Sequence, residues 1–194
     1  MEKLLLLLTD IAELSNSLVY HLNATVKQKT FSKGEYILKE GQICSHIYFL
    51  ETGLIRIFDQ QDDIENTSWL LKEGDIFISV ASFFNQQPAE ENIVALENCI
   101  CWGISYRQLE DTCQTFPEFD LYRRILTERY YCKNQQRNKI LTRLPEDRYA
   151  YVVQNEPELL SRAPLHLFPS YLNMSQSSFD RIRKRYSIIK RKGF

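Results

Sequence analysis

Between Arg181 and Phe194 the chain carries seven basic residues and no acid: Arg181, Arg183, Lys184, Arg185, Lys190, Arg191 and Lys192. Just ahead of them, Gln176, Ser177 and Asp180 precede Arg181, Lys184 and Arg185 at three- and four-residue steps, the spacing of one helix face. A helix over Gln176–Tyr186 therefore presents short polar groups at its N-terminal end and cations one turn later. Hydrogen-bonding side chains for base edges, flanked by cations for phosphates, are the chemistry of nucleic-acid reading. A solvated tail has the same composition, so the residues that precede this stretch must decide between the two.

Other reactive groups are sparse. Cys44 and His46 share a strand face and could supply half a metal site, but the β-rich segment offers no second histidine, and the pair reads better as core. His21 and His166 fall in flanking helical segments as surface or capping residues, and Cys99 and Cys101, on one strand face, read as core. There is no GxSxG, GxGxxG, P-loop or HExxH pattern. No catalytic residue, metal or cofactor is expected, and the chain is read as a non-enzyme. Five cysteines, an odd number without a CxxC pair or an export signal, argue for reduced thiols.

The net charge of −1 hides two opposed halves. Residues 1–129 hold 11 Lys and Arg against 20 Asp and Glu, a balance of −9, whereas residues 130–194 hold 13 against 5, a balance of +8. An acidic part that avoids polyanions is thus joined to a basic part that seeks them. With 44% hydrophobic and 25% charged residues over 194 positions, the chain can build a packed core. The leucine run Leu4 to Leu8 is too short for a secretory segment or for the ~20 apolar residues of a membrane span, so a cytoplasmic protein with no membrane partner is expected.

The elements that would position the basic face follow from periodicity. Val/Ile/Tyr/Phe-rich runs alternate with turn residues from Thr25 to Trp102, at about the 8–12 residue spacing of sandwiches and barrels. They predict strands at Val26–Phe31, Tyr36–Leu38, His46–Leu50, Leu54–Phe58, Ile64–Leu70, Ile76–Ile78, Ile93–Leu96 and Ile100–Trp102, with Gly34, Gly41, Gly53 and Gly74 closing turns between them. An α+β fold built on an antiparallel jelly roll is expected. Ser105 and Gln108 form a capping-box pattern for a helix through about Gln114. A long helix should run from Pro117 until Pro145 stops it, about 40 Å at 1.5 Å per residue. Its stripe of Phe119, Tyr122, Ile125, Leu126, Tyr130, Ile140, Leu141 and Leu144 wants a partner, either a second copy of the helix or the β-rich part of the same chain. Beyond it, Glu146–Asn155, Leu165–Leu172 and Gln176–Tyr186 read as short helices, the last two joined by Asn173-Met174-Ser175 at helix-turn-helix spacing. Phe168, Leu172, Met174, Phe179 and Ile182 would form the small core between them.

Phe31-Ser-Lys-Gly-Glu-Tyr-Ile-Leu-Lys-Glu-Gly41, His46-Ile-Tyr-Phe-Leu-Glu-Thr-Gly53 and Gly74-Asp75 resemble the strand and turn signatures of the cyclic-nucleotide-binding fold. Pro145-Glu-Asp-Arg-Tyr149, Pro157-Glu-Leu-Leu160 and Arg181-Ile-Arg-Lys184 resemble the C-terminal half of short Crp/Fnr-type transcription regulators, and the resemblance covers about residues 20 to 186. It implies a jelly-roll sensor with flanking helices over 1–116, a long dimerisation helix over 117–144 and a small helix-turn-helix domain over 145–194. It also implies double-stranded DNA and a second copy of the chain as partners, with Gln176, Ser177, Arg181, Lys184 and Arg185 as the DNA-binding residues.

Departures from the family pattern shape the remaining expectations. Family members that bind cyclic AMP hold the ribose with a Gly-Glu pair and the phosphate with an Arg-Ser pair. Those positions fall here on Ile78 and Ser79 and on Ala89 and Glu90, with Glu91 adjacent, so a phosphate would meet like charge and cyclic AMP is not the expected effector. Any other small molecule that binds is expected to be neutral or apolar, in a pocket assigned to Arg56, Ser79, Ala89 and Glu90. The cysteine cluster before Cys44 that an iron–sulfur oxygen sensor would need is missing. Pro169, where the family usually has Ala, should remove a helical hydrogen bond and cost about 3 kcal/mol unless its helix begins late. Ser177 stands where Glu is common, and at most one strand, Tyr186–Ile189, is left for a wing. A regulator that reads DNA is the first reading; an interaction module of the same architecture that no longer binds DNA is the second.

Overall fold

A computed structural model describes the backbone of residues 1–191 and the side chains of residues 1–186. All eight expected strands form: β1 (Lys27–Phe31), β2 (Tyr36–Leu38), β3 (His46–Thr52), β4 (Ile55–Gln61), β5 (Ile64–Leu71), β6 (Ile76–Phe77), β7 (Asn92–Ala95) and β8 (Cys99–Ser105). They pair antiparallel in two four-stranded sheets, ordered β1-β8-β3-β6 and β2-β7-β4-β5. Because neighbours in the sheets are mostly distant in sequence, the arrangement is a jelly roll. Between the sheets lie Leu50, Ile55, Ile57, Leu71, Phe77, Ile93, Cys99 and Cys101, all buried. The expected turn glycines all have positive φ. At Gly53 (φ 109°) no other residue fits, since a Cβ would stand 2.5 Å from the Cys99 sulfur and 2.9 Å from the Asn98 carbonyl.

Helices flank the roll. In α1 (Glu2–Thr9) the leucine run sends Leu4 and Leu8, one turn apart, into the core, and α2 (Asn16–Thr25) adds Leu18 and Leu22. A six-residue helix, α3 (Val80–Asn85), interrupts the β-rich region; it is too short to announce itself by periodicity. The capping box at Ser105 and Gln108 is present at the start of α4 (Tyr106–Thr115). The long helix α5 (Phe119–Leu141) is 23 residues, shorter at both ends than the sequence suggested. Pro117 lies in a lead-in turn whose carbonyl accepts from Asp120, and Leu144 is extended, as a residue before proline prefers.

The C-terminal region packs α6 (Pro145–Asn155), α7 (Pro157–Arg162), a 3₁₀ turn at Leu165–Leu167, α8 (Phe168–Tyr171) and α9 (Gln176–Arg191). Two expectations are corrected here. Pro169 carries no helix penalty, because α8 begins at Phe168 and its proline sits in the first turn, where no intrahelical acceptor exists for an N–H. Tyr186–Ile189 is not a wing strand: α9 runs through it unbroken, and an isolated strand there would have had no ladder partner.

Candidate nucleic-acid interface and effector cavity

The unit formed by α8, a tight turn and α9 is fixed from three sides. Asn173 takes the left-handed conformation (φ 48°) that ends α8, and Ser175 caps α9 by accepting from the Ser178 N–H at 3.2 Å. Phe168 stacks on Phe179 at 6.0 Å and 8° between planes, while Leu172 and Ile182 are buried beside them and Met174 packs at the edge. Arg148, inside the Pro145–Tyr149 motif of α6, donates one guanidinium nitrogen to the carbonyls of Leu172 and Asn173 at 3.0 and 2.5 Å and so holds the turn. Tyr149 meets Phe179 and Tyr186 edge-on. With this face spent on packing, Gln176, Ser177, Arg181, Arg183, Lys184 and Arg185 are all exposed on α9. Gln176 donates to Asp180 at 2.9 Å, one turn along the same surface.

Inside the roll, where α5 crosses it, a cavity of about 360 Å³ is lined mainly by Ile57, Trp69, Leu71, Ile76, Phe77, Ile78, Val80 and Ala81, with Glu91, Tyr130 and Lys133 at its polar end. None of Arg56, Ser79, Ala89 and Glu90 lines it. Arg56 is the clearest correction: strand alternation puts it on the face of β4 opposite Ile55 and Ile57. There it donates to Thr67 at 3.0 Å and Glu65 at 2.5 Å and lies 4.1 Å over the Phe58 ring. Ser79 is buried as the N-cap residue of α3. Ala89 is buried in backbone pairing with Gly41 and Gln42, and Glu90 is exposed. Glu91, which the sequence set beside the phosphate position, does line the cavity, whereas Lys133 was missed. Adjacent acids 90 and 91 point to opposite sides, and Lys133 arrives from a helix some forty residues later in sequence. Lys133 is tied to Asp75 at 2.6 Å. A nucleotide phosphate in this cavity would therefore face a carboxylate, with the nearby cation already neutralised.

A second hollow of about 480 Å³ opens beside Cys44, His46 and Tyr48. The Cys44 thiol donates to the His46 carbonyl at 3.3 Å and burial pushes its pKa up. Burial and Lys29 push His46 down. Among the described residues no group of three or more His, Cys, Asp or Glu is placed to hold a metal ion. All five cysteines are free; burial raises Cys99, and raises Cys101 to about 12, which leaves them inert. No described helix is long and apolar enough to cross a membrane.

The roll and the C-terminal helices share a buried boundary. Leu54 and Leu70 join the cluster around Phe168 and Phe179. Ser170 of α8 donates to the Thr67 hydroxyl at 3.0 Å and accepts from the Thr67 N–H at 3.2 Å. Arg162, at the end of α7, binds Glu73 through two nitrogens at 2.8 Å, Glu97 at 2.6 and 3.0 Å and the Gly53 carbonyl at 3.0 Å. Arg162 holds the Glu73 carboxyl down at about 2.

Residues 28–116 match the family described as the cyclic nucleotide-binding domain. No curated protein matches the chain. Solved structures do. The c-di-GMP-responsive global regulator CLP of Xanthomonas campestris has a TM-score of 0.69 at 16% identity, over 91% of this chain and 93% of that one. FixK2 of Bradyrhizobium japonicum has 0.71 at 15%, over 86% of each. A CooA mutant of Carboxydothermus hydrogenoformans has 0.66 at 15%, over 92% of this chain and 82% of that one. Residues 28–116 thus resemble a cyclic nucleotide-binding domain, and the chain as a whole shares the fold of these solved structures.

Proposed function

We propose that the chain is a cytoplasmic, homodimeric, DNA-binding transcription regulator, not an enzyme, whose effector is a small molecule other than cyclic AMP. The observation that carries this reading is the face of α9, where Gln176, Ser177, Arg181, Lys184 and Arg185 stand exposed behind a turn held by Arg148 and Ser175. Such a helix enters a major groove with its N-terminal residues at base edges and its cations on phosphates. The cavity under α5 supports an effector role by size and position, and its carboxylate and neutralised lysine speak against a phosphate. Domains follow as a sensor over 1–116, a linking helix over 117–144 and a DNA-binding part over 145–194.

A second reading, an interaction module without DNA binding, draws on the docking of α7 and α8 against the roll and on α9 taking the place of a wing strand. Titration of labelled duplex DNA by the full chain across a salt series separates the two. Specific phosphate contacts release counterions, so a regulator gives a steep linear fall of log K with log salt. A flat or unmeasurable response favours the module.

A further inference from the structure

We propose that the cleft between α5, β5 and the C-terminal helices is a binding site for a single-ring aromatic monocarboxylate, with Arg137 as its anchor. Arg137 projects from α5 toward α8, where one terminal nitrogen donates to the Tyr171 carbonyl at 2.9 Å. Its guanidinium lies 4.1 Å from the Tyr171 ring centre and 5.3 Å from that of Trp69. Burial depresses its pKa, yet no carboxylate stands within ion-pair distance of it among the described residues, whereas Arg56 has one and Arg162 two. A guanidinium has five N–H donors in a planar fork suited to bidentate carboxylate binding, and only one is used here by the protein.

The cleft beside it has a volume of about 140 Å³. That is close to the ~150 Å³ of a cavity that takes up benzene. Its apolar walls are Ile140, Leu141, Val152 and Leu172, with Gln136 and Tyr151 on its polar side, so an apolar body of about one ring fits it. The other charges there are already engaged: Lys133 pairs with Asp75, and Glu156 accepts the Tyr171 hydroxyl at 3.0 Å. Glu156 lines the same cleft and disfavours a dianion, so the match is a monoanion that takes up the unused N–H donors of Arg137. Trp69 belongs to the roll, and Val152 and Leu172 to the C-terminal helices, so an occupant bridges the boundary between them. The site adjoins the cavity under α5 across Trp69 and Lys133, and its occupancy is measured without DNA, so it stands or falls independently of the regulator reading.

The test is isothermal titration of the full chain with sodium benzoate, with neutral, isosteric benzamide as the comparison. Benzoate should bind in the sub-millimolar to millimolar range, and benzamide at least about tenfold more weakly, as the loss of a charge-assisted pair implies. Arg137→Gln should abolish the benzoate preference. Leu141→Phe, which fills the cleft and leaves Arg137 in place, should weaken benzoate by a similar factor should the Gln variant fail to fold. Val80→Phe, which fills the other cavity, should leave benzoate affinity unchanged. Equal binding of benzoate and benzamide, no binding at 10 mM, unchanged binding in the cleft variants or loss in Val80→Phe would each overturn the proposal.

Discussion

Arg162 closes three acceptors at once, and its effect on Glu73 gives a pH signature. The Glu73 carboxyl, ordinarily near 4.5, is held at about 2 in the folded chain, so its contribution to stability is complete above the unfolded value and is lost as pH falls from about 5 toward 2. Both groups are about a quarter to a third exposed, so screening limits the contribution to about 1–2 kcal/mol. Arg162→Ala should lower the melting temperature at pH 7 by several degrees, and the gap between variant and parent in thermal denaturation should narrow as pH falls below 4. A gap that stays constant with pH would place the effect elsewhere. On α9, Arg181→Ala should weaken DNA binding by about 1–3 kcal/mol and relax specificity if the residue reads a base, whereas Lys184→Ala should weaken all sequences alike and lower the salt slope by about one. Titrations of several duplexes at three salt concentrations check both. Little of the boundary was legible in the sequence, because Arg162 meets partners 65 and 89 positions away and nothing local marks such a pair.

At the scale of elements, α5 divides its stripe between two uses. Phe119, Tyr122 and Leu126 pack into the core of the roll, with the Tyr122 hydroxyl donating to the Glu13 carbonyl at 2.8 Å, while Ile125 and the 39%-exposed Leu121 lie outside that core. The sequence presents Ile125 and Leu126 as one stripe because a 3.6-residue period cannot tell a partner in the same chain from a partner in a second copy. A symmetric seam, if formed through α5, runs along Leu121 and Ile125. Ile125→Glu should therefore turn a dimer into a monomer in light scattering at tens of micromolar without loss of the fold, whereas Leu126→Glu should unfold the roll. A particle of monomer mass for the parent chain removes the seam. Strands were readable because alternation and turn glycines are local signals; α3 and α7, six residues each, were not, since fewer than two turns leave no periodicity to read. The wing strand was misread for a related reason. Tyr186, Ile188 and Ile189 have the β-branched and aromatic character of a strand, but cooperative extension of α9 and the want of a ladder partner decide for helix.

The whole molecule sets an acidic roll against basic C-terminal helices. Cyclic AMP at 1 mM should leave the melting temperature unchanged, because Glu91 lines the cavity and Lys133 is spent on Asp75. A ligand at 100 times its dissociation constant would add ~2.7 kcal/mol, a shift of several degrees in a melting experiment. Such a shift would restore a nucleotide role. The claim that matters most is that α9 works as part of a folded reader and not as a loose cation. It is tested by fluorescence anisotropy of one duplex, drawn from a pool enriched by the protein itself, titrated at ~150 mM salt with the full chain and with a peptide of residues 176–194. Two recognition helices held one DNA turn apart should bind at least about a hundredfold more tightly than the peptide. Equal affinities would contradict the account and leave the chain an interaction module with a charged end.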